Sequence, residues 1–166
     1  MNPHLQRGLL LFEQSRYDQA EPEFRQALAA NSQHAYTHAL LGPTLSEQER
    51  FQEAEAEVAE ALNLDPGEPF VHYVRARVLS DRERFPQAES AIAEAIELDP
   101  EDADYRGVQS QILYNQKKWT GALEAAEHGL ALNPEHIACT NLRAMALVQL
   151  GRNEEAGATI DPALAR

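Results

Sequence analysis

The chain is poor in cysteine, in basic residues and in long apolar runs, and each shortage removes a class of function. Cys139 is the single cysteine among 166 residues, so no internal disulfide can form and no cysteine-based metal site is built. No apolar run approaches the roughly 20 residues needed to span a bilayer. The longest near the start, Leu9-Leu10-Leu11-Phe12, is bounded by Gly8 and Glu13 and lacks the form of a secretory signal. A soluble, cytoplasmic protein is the default expectation, with export or anchoring through a missing segment left open. Lys+Arg number 14 against 27 Asp+Glu, a net charge of −13. That balance disfavours nucleic acid and direct membrane binding, because both anionic surfaces are bound through Lys and Arg. There is neither a glycine-rich phosphate loop nor a meaningful serine–histidine–acid order. The expectation is therefore a non-enzyme without a cofactor, and catalysis would need a further domain.

What the chain has instead is a period. Alanine recurs every 34 residues at Ala20, Ala54, Ala88, Ala122 and Ala156, and leucine keeps the same register at Leu11, Leu45, Leu79, Leu113 and Leu147. Twelve residues after the second, third and fourth alanines stand Pro66, Pro100 and Pro134, following Asp65, Asp99 and Asn133. No insertion or deletion interrupts the spacing, which is the signature of a repeat array. The units are 1–34, 35–68, 69–102, 103–136 and 137–166. Lys+Arg minus Asp+Glu gives −1, −7, −4, −1 and 0 for them in order, so the second and third carry the acid.

Each unit reads as two helices. In the second, 35–48 and 52–63 show apolar residues at three-to-four spacing around a polar Glu49-Arg50 turn. The third repeats this as 69–82 and 86–98, with Pro86 tolerated in a first turn. Small residues at Gly8, Gly42, Ala76, Ser110 and Ala144 are expected to face the recurring alanines where two helices cross. An aromatic follows at Tyr17, Phe51, Phe85 and Trp119, and Ala27, Ala61, Ala95, Gly129 and Ala163 leave room for the next unit.

The combination Gly42, Leu45, Phe51, Ala54, Ala61 and Asp65-Pro66 resembles the tetratricopeptide repeat, and the resemblance covers essentially the whole chain. It implies an all-α, right-handed α-solenoid, a superhelix of antiparallel helix pairs whose first helices line a concave groove that grips a peptide, helix or loop of another protein. Two departures stand out. Arg7, Arg75, Gln109 and Arg143 replace an apolar residue, which shifts inter-repeat packing to Leu40, Val74, Val108 and Leu142. The fifth unit has Asn153 in place of the aromatic and a helix-breaking Pro162 expected to kink or end its second helix near Ile160.

The groove positions that the resemblance implies hold Leu5, Leu9 and Phe12; Tyr36, Ala39, Pro43 and Glu47; Phe70, Tyr73, Arg77 and Asp81; Asp104, Gln111, Tyr114 and Asn115; and Asn141, Met145 and Gln149. Aromatics and Arg are the commonest interface anchors. Tyr36, Phe70, Tyr73 and Tyr114 beside Arg77, with Gln111, Asn115 and Asn141 as amides that pair with a ligand backbone, are therefore the candidate partner-binding residues. Each ring could equally pack against the adjoining helix and be only partly exposed. A subgroup of the family captures the C-terminal carboxylate of heat-shock chaperones with lysines, asparagines and an arginine. Leu5, Leu9, Leu40, Phe70 and Val74 stand at those positions, so that activity is not expected. Pro43 sits inside a first helix and frees the Ala39 carbonyl, which a ligand N–H or a water could meet.

Other candidates carry little chemistry. His4, His38 and His72 share one repeat position, but successive repeats lie on the order of 10 Å apart, too far for ligands that must converge within about 2.1 Å of one zinc. Glu53, Glu55, Glu57 and Glu60 read as a solvated face, and Cys139 as a packed thiol. Asn2-Pro3 reads as a helix start, whereas the last residues, Leu164-Ala165-Arg166, bring no polar capping helix. A longer array, or a homodimer through that uncapped end, would cover it. The expected function is a protein-interaction scaffold for a neutral-to-basic protein or peptide segment. Self-assembly, or recruitment for a larger and even membrane-anchored protein, is the alternative.

Overall fold

The computed structural model describes residues 2–160. Among them are ten α-helices and no strand: α1 (Pro3–Glu13), α2 (Tyr17–Ala30), α3 (Ala35–Ser46), α4 (Phe51–Leu64), α5 (Pro69–Asp81), α6 (Phe85–Leu98), α7 (Ala103–Asn115), α8 (Trp119–Leu132), α9 (Ile137–Gln149) and α10 (Asn153–Ile160). The boundaries expected for the four helices of the second and third repeats are met to within two residues. The chain divides into two compact units, Met1–Arg84 and Phe85–Arg166, with the division between α5 and α6. Pro162 and Ala163 lie outside the described residues.

The period of 34 residues is written in the backbone at the turn inside each helix pair. Ser15, Glu49, Glu83, Lys117 and Gly151 all adopt the left-handed conformation, with φ of 57, 60, 56, 61 and 76°. At each, two N–H groups turn back to close the first helix. Arg50 N–H donates to the Leu45 carbonyl and Glu49 N–H to that of Ser46, and the same pair of bonds recurs at the other four turns. The carbonyls of Leu11, Leu45, Leu79, Leu113 and Leu147 are thus the acceptors that end the first helices. The recurring leucine is placed both to pack and to terminate.

The second helices end by an equally regular device. The N–H of Asn31, Asp65, Asp99 and Asn133 donates to Ala27, Ala61, Ala95 and Gly129. The Asn31, Asp99 and Asn133 side chains then accept from the N–H two residues on, closing an Asx turn. Asn2 starts α1 by accepting from His4 N–H at 2.9 Å, with Pro3 in the first turn.

The recurring alanines are buried, none more than 4% exposed. In the first unit one core joins Ala20, Phe24, Leu41, Leu45, Ala54, Val58, Val71, Val74 and Val78. In the second, Ala122, Leu123, Ala146, Leu147 and Ala156 pack together with Leu113, Tyr114 and Leu150 against them. The small-residue positions need one correction. The nearest neighbours of Gly8 and Gly42 are Phe24 and Val58, one turn beyond the alanines: a Cβ on Gly42 would lie 2.5 Å from Val58 Cγ2. Ser110 does reach its alanine, donating to the Ala122 carbonyl at 2.7 Å.

A feature that the sequence pattern left unread is the basic residue after each left-handed position. Arg50 pairs with Glu21 at 2.6 Å, Arg84 with Glu55 at 2.8 Å and Lys118 with Glu89 at 2.5 Å. These three turns are thereby tied to the second helix of the preceding pair, whereas Arg152 pairs with Glu155 of its own pair. Burial opposes ionisation of these three glutamates, but the bonds they accept outweigh it and hold each below the usual carboxylate range.

Candidate functional site

Helix α3 is apolar nearly all round: Ala39 through Ser46 are all buried, and the helix packs against α2, α4 and α5. Its charge-free run Ala39-Leu40-Leu41-Gly42-Pro43-Thr44-Leu45 explains why, since no face of it prefers water. Two assigned groove residues are corrected by this. Ala39 has no exposed surface and Pro43 is buried, so neither lines a groove, and the carbonyl freed by Pro43 is out of reach of any ligand. What α3 does expose is its first turn, where Tyr36 stands 38% accessible.

Tyr36 begins a row of rings. Its centroid is 5.0 Å from that of Phe70 on α5, and Phe70 is 5.9 Å from Tyr73 in a stacked pair at 29°. Arg77, one turn further along α5, sets its guanidinium carbon 5.8 Å from the Tyr73 centroid. The spacing of 70, 73 and 77 puts all three on one stripe of α5. Phe70 and Tyr73 are half-buried and rest on the core of the first unit, which fixes the row from beneath. Leu5, Leu9 and Phe12 are half-buried against the same core. His34 meets Tyr36 edge-on at 6.4 Å. The Tyr36 phenol is pushed above its ordinary value, first by burial and then by the negative charges of Glu13 and Glu68. At the other end of α5 Asp81 accepts from Ser46 Oγ at 2.6 Å.

The remaining candidates lie in the second unit and differ in kind. Gln111 donates to Asn115 Oδ1 at 2.8 Å, so the two exposed amides partly satisfy each other. Tyr114 packs its ring 4.8 Å from Trp119, and Gln149 donates to its hydroxyl at 3.4 Å. Asn141 is exposed on α9, near the accessible Met145 and Val148 of the same helix. This is a polar surface with an apolar fringe.

Three histidines and the cysteine are occupied by structure. His4 and His38 each bond a glutamate nineteen residues on, Glu23 and Glu57, at 2.7 Å, and His72 Nε2 donates to the Pro66 carbonyl at 2.8 Å. Cys139 is buried against Gly129 and Gly107, and its thiol is pushed up to about 11 by burial and by the charge of Asp104. It is a packing group: His136 Nε2 lies 2.8 Å from Asp104 Oδ1, but His136 Nδ1 accepts from the Cys139 backbone N–H, and the thiol faces the Ala103 carbonyl. A cleft between α4 and α5 is lined by Val58, Leu62, Val78, Arg75 and Arg84, and its Glu55 is held by Arg82 and Arg84. Among the described residues no helix is long and apolar enough to cross a membrane, and no group of three or more His, Cys, Asp or Glu side chains could hold a metal ion.

Helix pairs joined by a repeated left-handed turn, with small residues at each crossing, define an all-α repeat protein, an α-solenoid of antiparallel helix pairs. Residues 11–78 and 45–112 match the family model described as tetratricopeptide repeat. Residues 81–163 match that described as anaphase-promoting complex, cyclosome, subunit 3. The chain belongs to the tetratricopeptide-repeat family. A search of curated proteins returned no match. Among solved structures it is similar to pilF of Pseudomonas aeruginosa, at 24% identity and a TM-score of 0.82 over 95% of this chain and 72% of that one. A thermophilic TPR protein of Thermus thermophilus aligns at 22% identity and a TM-score of 0.86, over 98% and 89% of the two chains. YrrB, described as a TPR protein with an unusual peptide-binding site, aligns at 21% and 0.66, over 98% and 84%. At these identities the likeness concerns the fold.

Proposed function

We propose that the chain is a protein-interaction scaffold that holds a peptide or helical segment of a partner protein against its first helices. The observation that carries this reading is the row Tyr36, Phe70, Tyr73 and Arg77: three rings in contact, capped by a guanidinium, seated on a core and open to solvent at Tyr36. A rigid aromatic surface supported from beneath gives large contact area at low entropic cost, which is what an interface anchor requires. The family and the peptide-binding description of YrrB support the same direction. The amides Gln111, Asn115 and Asn141 with Tyr114 are read as a second polar contact surface, suited to the backbone of an extended segment. The five units 1–34, 35–68, 69–102, 103–136 and 137–166 are read as one array devoted to binding, with a neutral-to-basic partner and no catalytic role.

Capture of partners from a lysate, with the wild-type chain and with Tyr73→Ala/Arg77→Ala, tests this. The expected result is a partner lost only with the variant, whose helical circular dichroism is unchanged. A partner retained by the folded variant would remove the row from the binding surface. Self-assembly is the second reading, favoured by Met145, Val148 and Ile160, which are 42%, 52% and 71% exposed. Light scattering showing a strict monomer at high concentration would eliminate it.

A further inference from the structure

The row is an unusual surface in electrostatic terms, and its chemistry narrows what it can hold. Ring faces are electron-rich, and a cation placed within about 6 Å of a centroid is attracted to them. The protein already satisfies one such site from within, since Arg77 covers Tyr73 at 5.8 Å. Tyr36 and Phe70, 5.0 Å apart and tilted at 39°, form the adjoining pair, and Tyr36 is the accessible member. The negative charges of Glu13, at the end of α1, and of Glu68, which caps α5 by accepting from Phe70 N–H, act on Tyr36. The second 34-residue unit, to which Tyr36 belongs, is the most acidic of the five, although its Glu53, Glu55 and Glu57 on α4 are already paired with arginines. An anionic segment would meet repulsion here, and a purely aliphatic one would leave the charges without a partner.

We infer that the Tyr36–Phe70 pair is a subsite for a cationic side chain, a lysine or arginine of the bound partner segment, seated on the rings within the field of Glu13 and Glu68. This rests on the scaffold reading above and specifies its selectivity. The ring faces supply direct attraction, while the carboxylates supply steering that salt weakens. Arg77 at the far end of the row sets the direction, because its own charge discourages a second cation over Tyr73.

The test uses synthetic peptides of one length, an alanine background bearing lysine, norleucine or glutamate at every third position, titrated into the 15N-labelled full chain at low ionic strength. The lysine peptide should shift the amides around Tyr36 and Phe70 and bind about fivefold more tightly than the norleucine peptide. The glutamate peptide should leave those amides unmoved, and added salt should weaken the lysine complex. Tyr36→Leu should abolish the preference for lysine. Glu13→Gln/Glu68→Gln, which leaves the core untouched, should weaken lysine-peptide binding about threefold. Equal binding of the norleucine and lysine peptides at these amides would overturn the cationic subsite and leave the scaffold reading standing. Shifts confined to α2 and α4 for every peptide would overturn both.

Discussion

The same repeat positions carry opposite surfaces in the two units of this chain. At the second position of a repeat the first unit has Tyr36 and Phe70, and the second has Asp104 and Ala138; at the ninth, Arg77 stands against Gln111 and Met145. Yet the left-handed turn, the leucine carbonyl that closes it and the buried alanine are alike in both. The frame is therefore specified separately from what it displays. A handful of backbone bonds and small side chains fixes each helix pair, leaving the outward positions of α3, α5, α7 and α9 free to differ in chemistry.

Substitutions act most strongly at the frame. Ala54→Leu and Ala122→Leu should each lower stability by about 2–3 kcal/mol through overpacking, to a similar degree in both units. Equilibrium denaturation would measure it, and a large difference between the two would mean that the crossings are not equivalent. Next in size are the turns. Glu49→Gly, Glu83→Gly and Lys117→Gly relieve a left-handed conformation that costs a residue with a Cβ about 1 kcal/mol, and each should stabilise by roughly that amount. Gly151→Ala should lose a similar amount.

The ladder of turn-to-helix ion pairs sharpens the comparison further. Glu21, Glu55 and Glu89 are more acidic in the folded protein than in the unfolded chain, so their contribution is present above about pH 4.5 and is lost as pH falls below it. The melting temperature should fall through that range. Glu55→Gln should flatten the dependence while costing about 0.5–1 kcal/mol at neutral pH. The smallest effect is expected at the polar surface: Gln111→Ala/Asn115→Ala should change stability by less than about 0.5 kcal/mol, because both side chains are exposed.

Much of the fold was legible because its determinants are sequence-local and repeated. The spacing of Leu, Ala and the Asp/Asn-Pro loops predicts two helices per unit, and Asn2-Pro3 marks the first cap. The left-handed turn was not legible, since Ser15, Glu49, Glu83 and Lys117 are not residues that advertise positive φ, and only Gly151 is. The ion-pair ladder was hidden for a related reason: its partners are 29 residues apart, a separation that means nothing until the helices are stacked. At the candidate site the face positions were readable by resemblance, but burial was not. Ala39 and Pro43 stand at groove positions by repeat register, yet both are buried. The absence of any charge between His38 and Ser46 was the available signal that α3 is enclosed.

The scaffold reading stands on the row on α3 and α5 as the proposed binding surface. A peptide selected from a displayed random library against the full chain, titrated into the 15N-labelled protein, tests it most directly. Amide shifts are expected to concentrate at Tyr36, Phe70, Tyr73 and Arg77, with loss of binding in Tyr36→Ala/Arg77→Ala. A footprint on α2 and α4, with binding unchanged in that variant, would contradict it.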